Sequence, residues 1–315
     1  MSFKIISISG DEKVAKVFVA SANDDSNKMF EFVDGLDTRY KREEKWIINV
    51  STQYGCPVDC RFCDAGGDYK GNIPADLMLG QVKYVLDRHD PASVNSCKKL
   101  KVHFARMGEP ALNNEVIDAL KLLPETVKNP GLMACVASVA PKGREKWFES
   151  LCNVKHQMYN GHFQLQLSIN STDEEWRLRL MPISLFSFQE MAEIVSEFWT
   201  PRDRKVVLNF ALTKGVPVEP KSVSRFFDPE KCIIKLTPLN PTFKGKEENL
   251  ASLLRQADES EADELASGFS NCGYEVVMSV GDYREDKIGS NCGQAVRMRL
   301  NNRIAPGLNL AINSE

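Results

Sequence analysis

From Trp46 onward, apolar strand-like runs alternate with stretches of helical periodicity, and this alternation limits the folds open to the chain. The runs are Trp46–Ser51, Leu100–Ala105, Leu132–Ser138, Phe163–Ile169, Val206–Leu212, Ile233–Leu236 and Glu275–Val280. Helical segments separate them, among them Ala75–Asp87, Asn114–Leu123, Phe186–Trp199 and Leu250–Ser267. Apolar strands spaced by helices argue for parallel βαβ units, since a parallel partner is reached only by a crossover. Six or so such units predict an α/β protein, a partial (β/α)6 TIM-like barrel over residues 46–315. Residues 1–45 read differently. Ile5–Ser9, Val14–Ala20 and Met29–Val33 are β-like and Ser21–Lys28 is a polar turn, which predicts a small N-terminal β extension.

The chemistry is concentrated in Cys56-Pro-Val-Asp-Cys60-Arg-Phe-Cys63, directly after the first barrel strand. Thiolates are soft ligands suited to iron–sulfur clusters, zinc or copper(I). Three sulfurs on one compact loop would hold a four-iron cluster and leave one iron without a protein ligand, open to a substrate or cofactor. A structural zinc site would call for a second ligand pair, and the four histidines are isolated. A redox pair of Cys60 and Cys63 is the other plain alternative. Nine cysteines, an odd number, without a secretion-like leader do not suggest a disulfide framework. No signal peptide and no transmembrane stretch is legible, so a cytoplasmic protein with no membrane association is expected. A net charge of −3 exerts no global pull toward nucleic acid, although a local basic patch would not show in that number.

This loop, with an aromatic just before its third cysteine, resembles the radical S-adenosylmethionine superfamily. Further motifs are similar to the RlmN/Cfr branch of RNA adenine methylases. They are Ser51-Thr-Gln-Tyr-Gly-Cys56, Met107-Gly108-Glu109-Pro110, Leu167-Ser168-Ile169-Asn170 with Glu175-Trp-Arg177 and Leu180-Met-Pro182-Ile183, Leu236-Thr-Pro-Leu-Asn240-Pro241, and Asn291-Cys292-Gly293-Gln294. They follow the family's order from about Trp46 to the end. The resemblance implies a 4Fe-4S cluster on Cys56, Cys60 and Cys63, with S-adenosylmethionine on its open iron. It also implies an electron donor such as flavodoxin or ferredoxin. Glu109, on a Gly-Glu-Pro turn past a strand, is the candidate partner of the cofactor's ammonium, with Gly108 allowing close backbone approach. Ser138, Ser168, Asn170 and Asn240 are candidate contacts to the rest of the cofactor. Cys292, between Gly289, Ser290 and Gly293, corresponds to the family's methyl-carrying cysteine. Cys97, Cys135, Cys152 and Cys232 read as structural.

Three departures from the family pattern bear on substrate. Asn49 stands seven residues before Cys56, where the family has a second catalytic cysteine thought to release the product. The family's N-terminal helical domain has no helical counterpart in the β-like stretch ahead of Trp46. Positions that are His and Glu in the family are Asn170 and Asn209, and Asp37 is the candidate for an upstream acid. The expected activity is therefore methylation of an unreactive carbon through Cys292, on an RNA base, a smaller molecule or a peptide. The alternatives are an enzyme that uses the 5′-deoxyadenosyl radical directly, and a zinc-stabilised binding protein.

Overall fold

The computed structural model describes residues 2–23, 25–254, 260–282, 284–289 and 291–304. Its strands are β1 Phe3–Gly10, β2 Ala15–Ala22, β3 Met29–Leu36, β4 Trp46–Val50, β5 Gln53–Cys56, β6 Gly67–Asn72, β7 Leu100–Phe104, β8 Leu132–Ser138, β9 Phe163–Ser168, β10 Val206–Leu212, β11 Cys232–Pro238 and β12 Glu275–Met278. Ten of them form one sheet in the order β1-β2-β3-β4-β7-β8-β9-β10-β11-β12, and β5 pairs with β6 in a separate hairpin. From β4 to β12 every pairing is parallel, and β1 to β4 are joined antiparallel. The seven apolar runs of the sequence are the seven parallel strands, in chain order. The N-terminal β segment adds its strands to the edge of that same sheet.

Burial along these strands shows an apolar outer face and a polar interior. In β4, β7, β9 and β11 fully buried residues alternate with half-buried ones. One set, with Trp46, Ile48, Val102, Phe104, Leu165, Leu167, Ile234 and Leu236, belongs to the hydrophobic core. The other set faces the lumen and is largely polar: Lys101, His103, Gln164, Gln166 and Lys235 line it. Side chains alternate across a strand, so a polar residue at every second position costs the core nothing.

One helix differs from its expected bounds. The stretch Leu250–Ser267 is not a single helix, because Leu253 N–H donates to Leu212 C=O and Ser252 Oγ accepts from Leu239 N–H. These bonds hold 250–254 against the end of β10, and the helix runs Ser260–Asn271 instead, with 255–259 outside the described residues. The two leucines are buried by docking on a strand end, which a periodicity count cannot tell from a helical stripe. Among the described residues no helix is long and apolar enough to cross a membrane.

The junction between extension and barrel is held by one buried carboxylate. Asp34 on β3 accepts from Arg42 Nη1 at 2.6 Å, Trp46 Nε1 at 2.7 Å and His89 at 2.7 Å. Its pKa is lowered: burial pulls upward, and the His89 and Arg42 hydrogen bonds outweigh it. Truncating one member leaves buried charge uncompensated. Asp34→Ala is expected to lower unfolding free energy by about 3 kcal/mol in a denaturant titration.

Candidate active site

Parallel pairing puts the carboxyl ends of all seven barrel strands at one pole, and the cysteine loop leaves β4 there. The loop is carried on the β5–β6 hairpin, whose register slips between Tyr54 and Cys56. Gly55 permits this slip, since at φ +76° a Cβ would lie 2.7 Å from Asp68 C=O. Inside the loop Cys63 N–H donates to Cys60 C=O and Gly66 N–H to Cys63 C=O. Cys56 and Cys60 are buried and Cys63 is half-buried.

The three thiols are close enough to act on one another electrostatically. Burial, then the Cys63 charge, pushes the Cys56 thiol up; burial, then Cys63 and Cys56, does the same to Cys60. A hydrogen bond with Cys292 pulls Cys63 down and raises Cys292. Among the described residues no set of three His, Cys, Asp or Glu is spaced to hold a single metal ion. Three soft thiols carried on one loop fit a polynuclear iron–sulfur cluster.

Side chains distant in sequence fasten this loop. Asp64 accepts from the backbone N–H groups of Phe243 and Lys244 and from Arg297 Nη1, at 3.0, 2.9 and 3.0 Å. Thr242 Oγ1 donates to Phe62 C=O at 2.9 Å. The segment after β11 and the C-terminal helix Gln294–Ile304 are thereby tied to the cysteines.

Cys292 is brought to the same place. Its thiol donates to Arg106 C=O, and its own C=O lies 3.9 Å from Cys63 Sγ. Glu31, fully buried on β3, makes this possible: it accepts from Gly293 N–H at 2.7 Å and Val296 N–H at 3.0 Å. It also pairs with Arg106 at 2.6 Å, and Arg106 donates to Asn291 C=O at 3.1 Å. Burial raises the Glu31 pKa, against the opposing pull of Arg106 and the two amides. Gly293 is at φ +78° and a Cβ there would lie 2.1 Å from Ala65 N, so the turn seats directly on the cluster loop. Ser290 lies outside the described residues.

The cofactor candidates divide into two groups. Glu109 and Ser138 meet: Glu109 accepts from Ser138 Oγ at 2.6 Å, Val139 N–H at 2.9 Å and Ala111 N–H at 3.0 Å. Burial nevertheless pushes its carboxyl up to about 7. Gly108, at φ +105°, leaves no room for a Cβ, which would meet Thr52 Oγ1 at 2.6 Å. Ser168 ends β9 and is in register with Asn209 on β10. Asn170, at φ +61°, uses its own side chain to clasp neighbours, accepting from Ala211 N–H at 3.1 Å and donating to Met181 Sδ. Asn240 is exposed just past β11. Asn209 Oδ1 is buried with no hydrogen-bond partner among the described residues.

Glu31 and Arg106 were not among the residues the motifs single out. Asp37, the upstream acid read from the sequence, is instead paired with Arg39 at 2.8 Å and Lys45 at 2.5 Å. It follows β3, whereas Glu31 lies toward the strand's other end, at the cluster pole. The available signal was a lone glutamate inside the apolar run Met29–Val33, where a charge needs a buried partner.

The fold and the cysteine loop are those expected of a radical S-adenosylmethionine enzyme. No family model matches the chain. It is 26% identical over 271 residues to a probable dual-specificity RNA methyltransferase RlmN of Desulfitobacterium hafniense, covering 82% of this chain and 70% of that one. It is 25% identical over 290 residues to the RlmN of Campylobacter jejuni, covering 84% and 76%. A radical SAM methyltransferase from Sphaerobacter thermophilus superposes with TM-score 0.70 at 17% identity, over 93% of this chain and 80% of that one, a likeness of fold. The chain is an RlmN-like radical S-adenosylmethionine methyltransferase, with a 4Fe-4S cluster and S-adenosylmethionine as its cofactors.

Replacing Glu31 by Ala strands the Arg106 guanidinium and frees two amides. Hydrogen exchange at Gly293 and Val296 should accelerate at least about tenfold in that variant, with unfolding free energy lower by about 3 kcal/mol.

Proposed function

We propose that Cys292 is the methyl carrier of a carbon methylation, with Cys56, Cys60 and Cys63 holding the cluster. The observation that carries this reading is the seat of Cys292 against Cys63 and Arg106, built from residues 186 and 229 positions apart. A lone structural cysteine does not need a buried Glu–Arg pair to hold its loop; a sulfur that must meet a reactive centre does. Held by Cys56, Cys60 and Cys63, the cluster would supply one-electron chemistry to S-adenosylmethionine.

The chain's own residues have the remaining tasks. Cys292 sulfur holds the methyl group as a thioether and presents it at the pole where the strands end. Glu109, with Ser138 and Val139 fixing both of its oxygens, balances the ammonium of S-adenosylmethionine. Ser168, Asn170, Asn209 and Asn240 border the same rim, and Asn209 brings an unused acceptor. Asn49, on β4, has no thiol, so release of product from Cys292 falls to another group. A flavodoxin- or ferredoxin-type protein serves as electron donor. The names of the relatives make an RNA base the first substrate to test.

Anaerobic turnover with methyl-labelled S-adenosylmethionine and cell RNA tests the carrier. Wild type should carry one extra methyl on the Cys292 peptide by mass spectrometry and pass label to RNA. Cys292→Ala should keep its iron and cofactor cleavage yet transfer no label, whereas Cys56→Ala should lose both. An unmethylated Cys292 after turnover would refute the reading.

The Glu109 pKa gives a pH test. Below about 7 the carboxyl is protonated and has no charge to set against an ammonium; above it the charge is present. Affinity for S-adenosylmethionine, by anaerobic equilibrium dialysis, should rise between about pH 6 and about pH 8. Glu109→Gln should bind more weakly with a flat profile.

A further inference from the structure

One sizeable cavity lies away from the cluster. It is the barrel lumen, a space of about 600 Å³ whose mouth lies at the opposite pole, among Asp37, Lys45, Asp203, Lys205 and Glu275. It runs inward as far as Ala105 and Ala137, one residue short of Arg106 and Ser138. Six cationic side chains and three carboxylates line it. Two of the carboxylates are already neutralised within the protein: Asp37 by Arg39 and Lys45, and Asp203 by Lys155 at 2.5 Å.

The inner part is unbalanced. Lys101 on β7 and Lys235 on β11 point into the lumen and make no ion pair with any described residue. His103, two residues along from Lys101, has its buried Nε2 without a hydrogen-bond partner among the described residues. Burial, then the charges of Lys101 and Lys235, holds the His103 pKa well down, and burial, then Lys101, lowers that of Lys235. Burial and this repulsion bring Lys235 down to about 8. The acid that faces them, Glu275, sits at the start of β12, at the mouth.

Two convergent lysines and an unsatisfied imidazole inside a barrel are costly by themselves. Unpaired buried cations are tolerated where a counter-charge arrives from outside. We propose that the lumen binds a small oxyanion, a carboxylate- or phosphate-bearing molecule, between Lys101, Lys235 and His103. Arg39, Lys45, Arg204 and Lys205 at the mouth draw it in. The site is separate from the radical chemistry and does not depend on the role of Cys292. Its ligand lies beneath the floor of the cofactor site, where it would brace the ends of β7 and β8 that carry Arg106 and Ser138.

The test uses cluster-loaded protein under anaerobic conditions, with inorganic phosphate and citrate as the two probes and chloride at equal ionic strength as control. At least one probe should raise the melting temperature in a saturable way and bind measurably by calorimetry. Which of them does so separates a phosphate ligand from a carboxylate one. Lys235→Met and Lys101→Met should each weaken that binding about tenfold or more, the loss of one charge-assisted contact. Without anion, Lys235→Met should melt higher than wild type, because an uncompensated buried charge has been removed. A lysine with a purely structural role predicts the opposite sign. Saturation by neither probe, or binding undiminished in both variants, would overturn the proposal.

Discussion

The molecule depends first on the parallel ladder from β4 to β12. Parallel strands must all run the same way, so every strand end, with the loop that follows it, arrives at one pole. The cysteine loop after β4, Arg106 and Glu109 after β7, Ser138 at the end of β8, Ser168 ending β9 and Asn240 after β11 are neighbours for this reason alone. No local interaction would gather residues spread over nearly two hundred positions. The ladder does so as a by-product of burying its helix-facing side chains.

On that platform a few buried charges do the fine positioning. Glu31 and Arg106 act as one unit, the carboxylate taking the two amides of the C-terminal turn while the guanidinium reaches Asn291 C=O. Asp64 does the same for the segment after β11 and for Arg297. Both carboxylates are spent on backbone N–H groups, which fixes main chain rather than side chain. A sulfur held this way is set by the path of its backbone, the more rigid means of presenting it.

The contrast between the two poles of the lumen is also electrostatic. At the cluster pole Glu31 is paired with Arg106, and Asp64 with Arg297. In the lumen Lys101 and Lys235 have no ion pair among the described residues, and the alternation that makes β7 and β11 good strands puts them there. A pattern that reads as half-buried strand is thus also the pattern that builds a charged interior.

Much of this was legible before any coordinates. Apolar periodicity located all seven barrel strands, because a strand buried on its helix side must show it in every second residue. The cysteine spacing and the Gly-Glu-Pro turn marked the cofactor chemistry, since few residue types at few spacings can perform it. Sequence named Asp37 as the upstream acid and passed over Glu31, because nothing local tells that only Glu31 meets Arg106 across the fold. It ran a helix through Leu250–Ser267, because docking on a strand end and a helical stripe leave the same apolar trace. Nor could it tell that Cys292 meets Cys63, or that two lysines share one lumen. The chain by itself determined which chemistries it carries and the order of its elements, through local composition and period. Which of its charges meet, and which are left unpaired, was decided only by tertiary structure, since that depends on pairings between strands far apart in the chain.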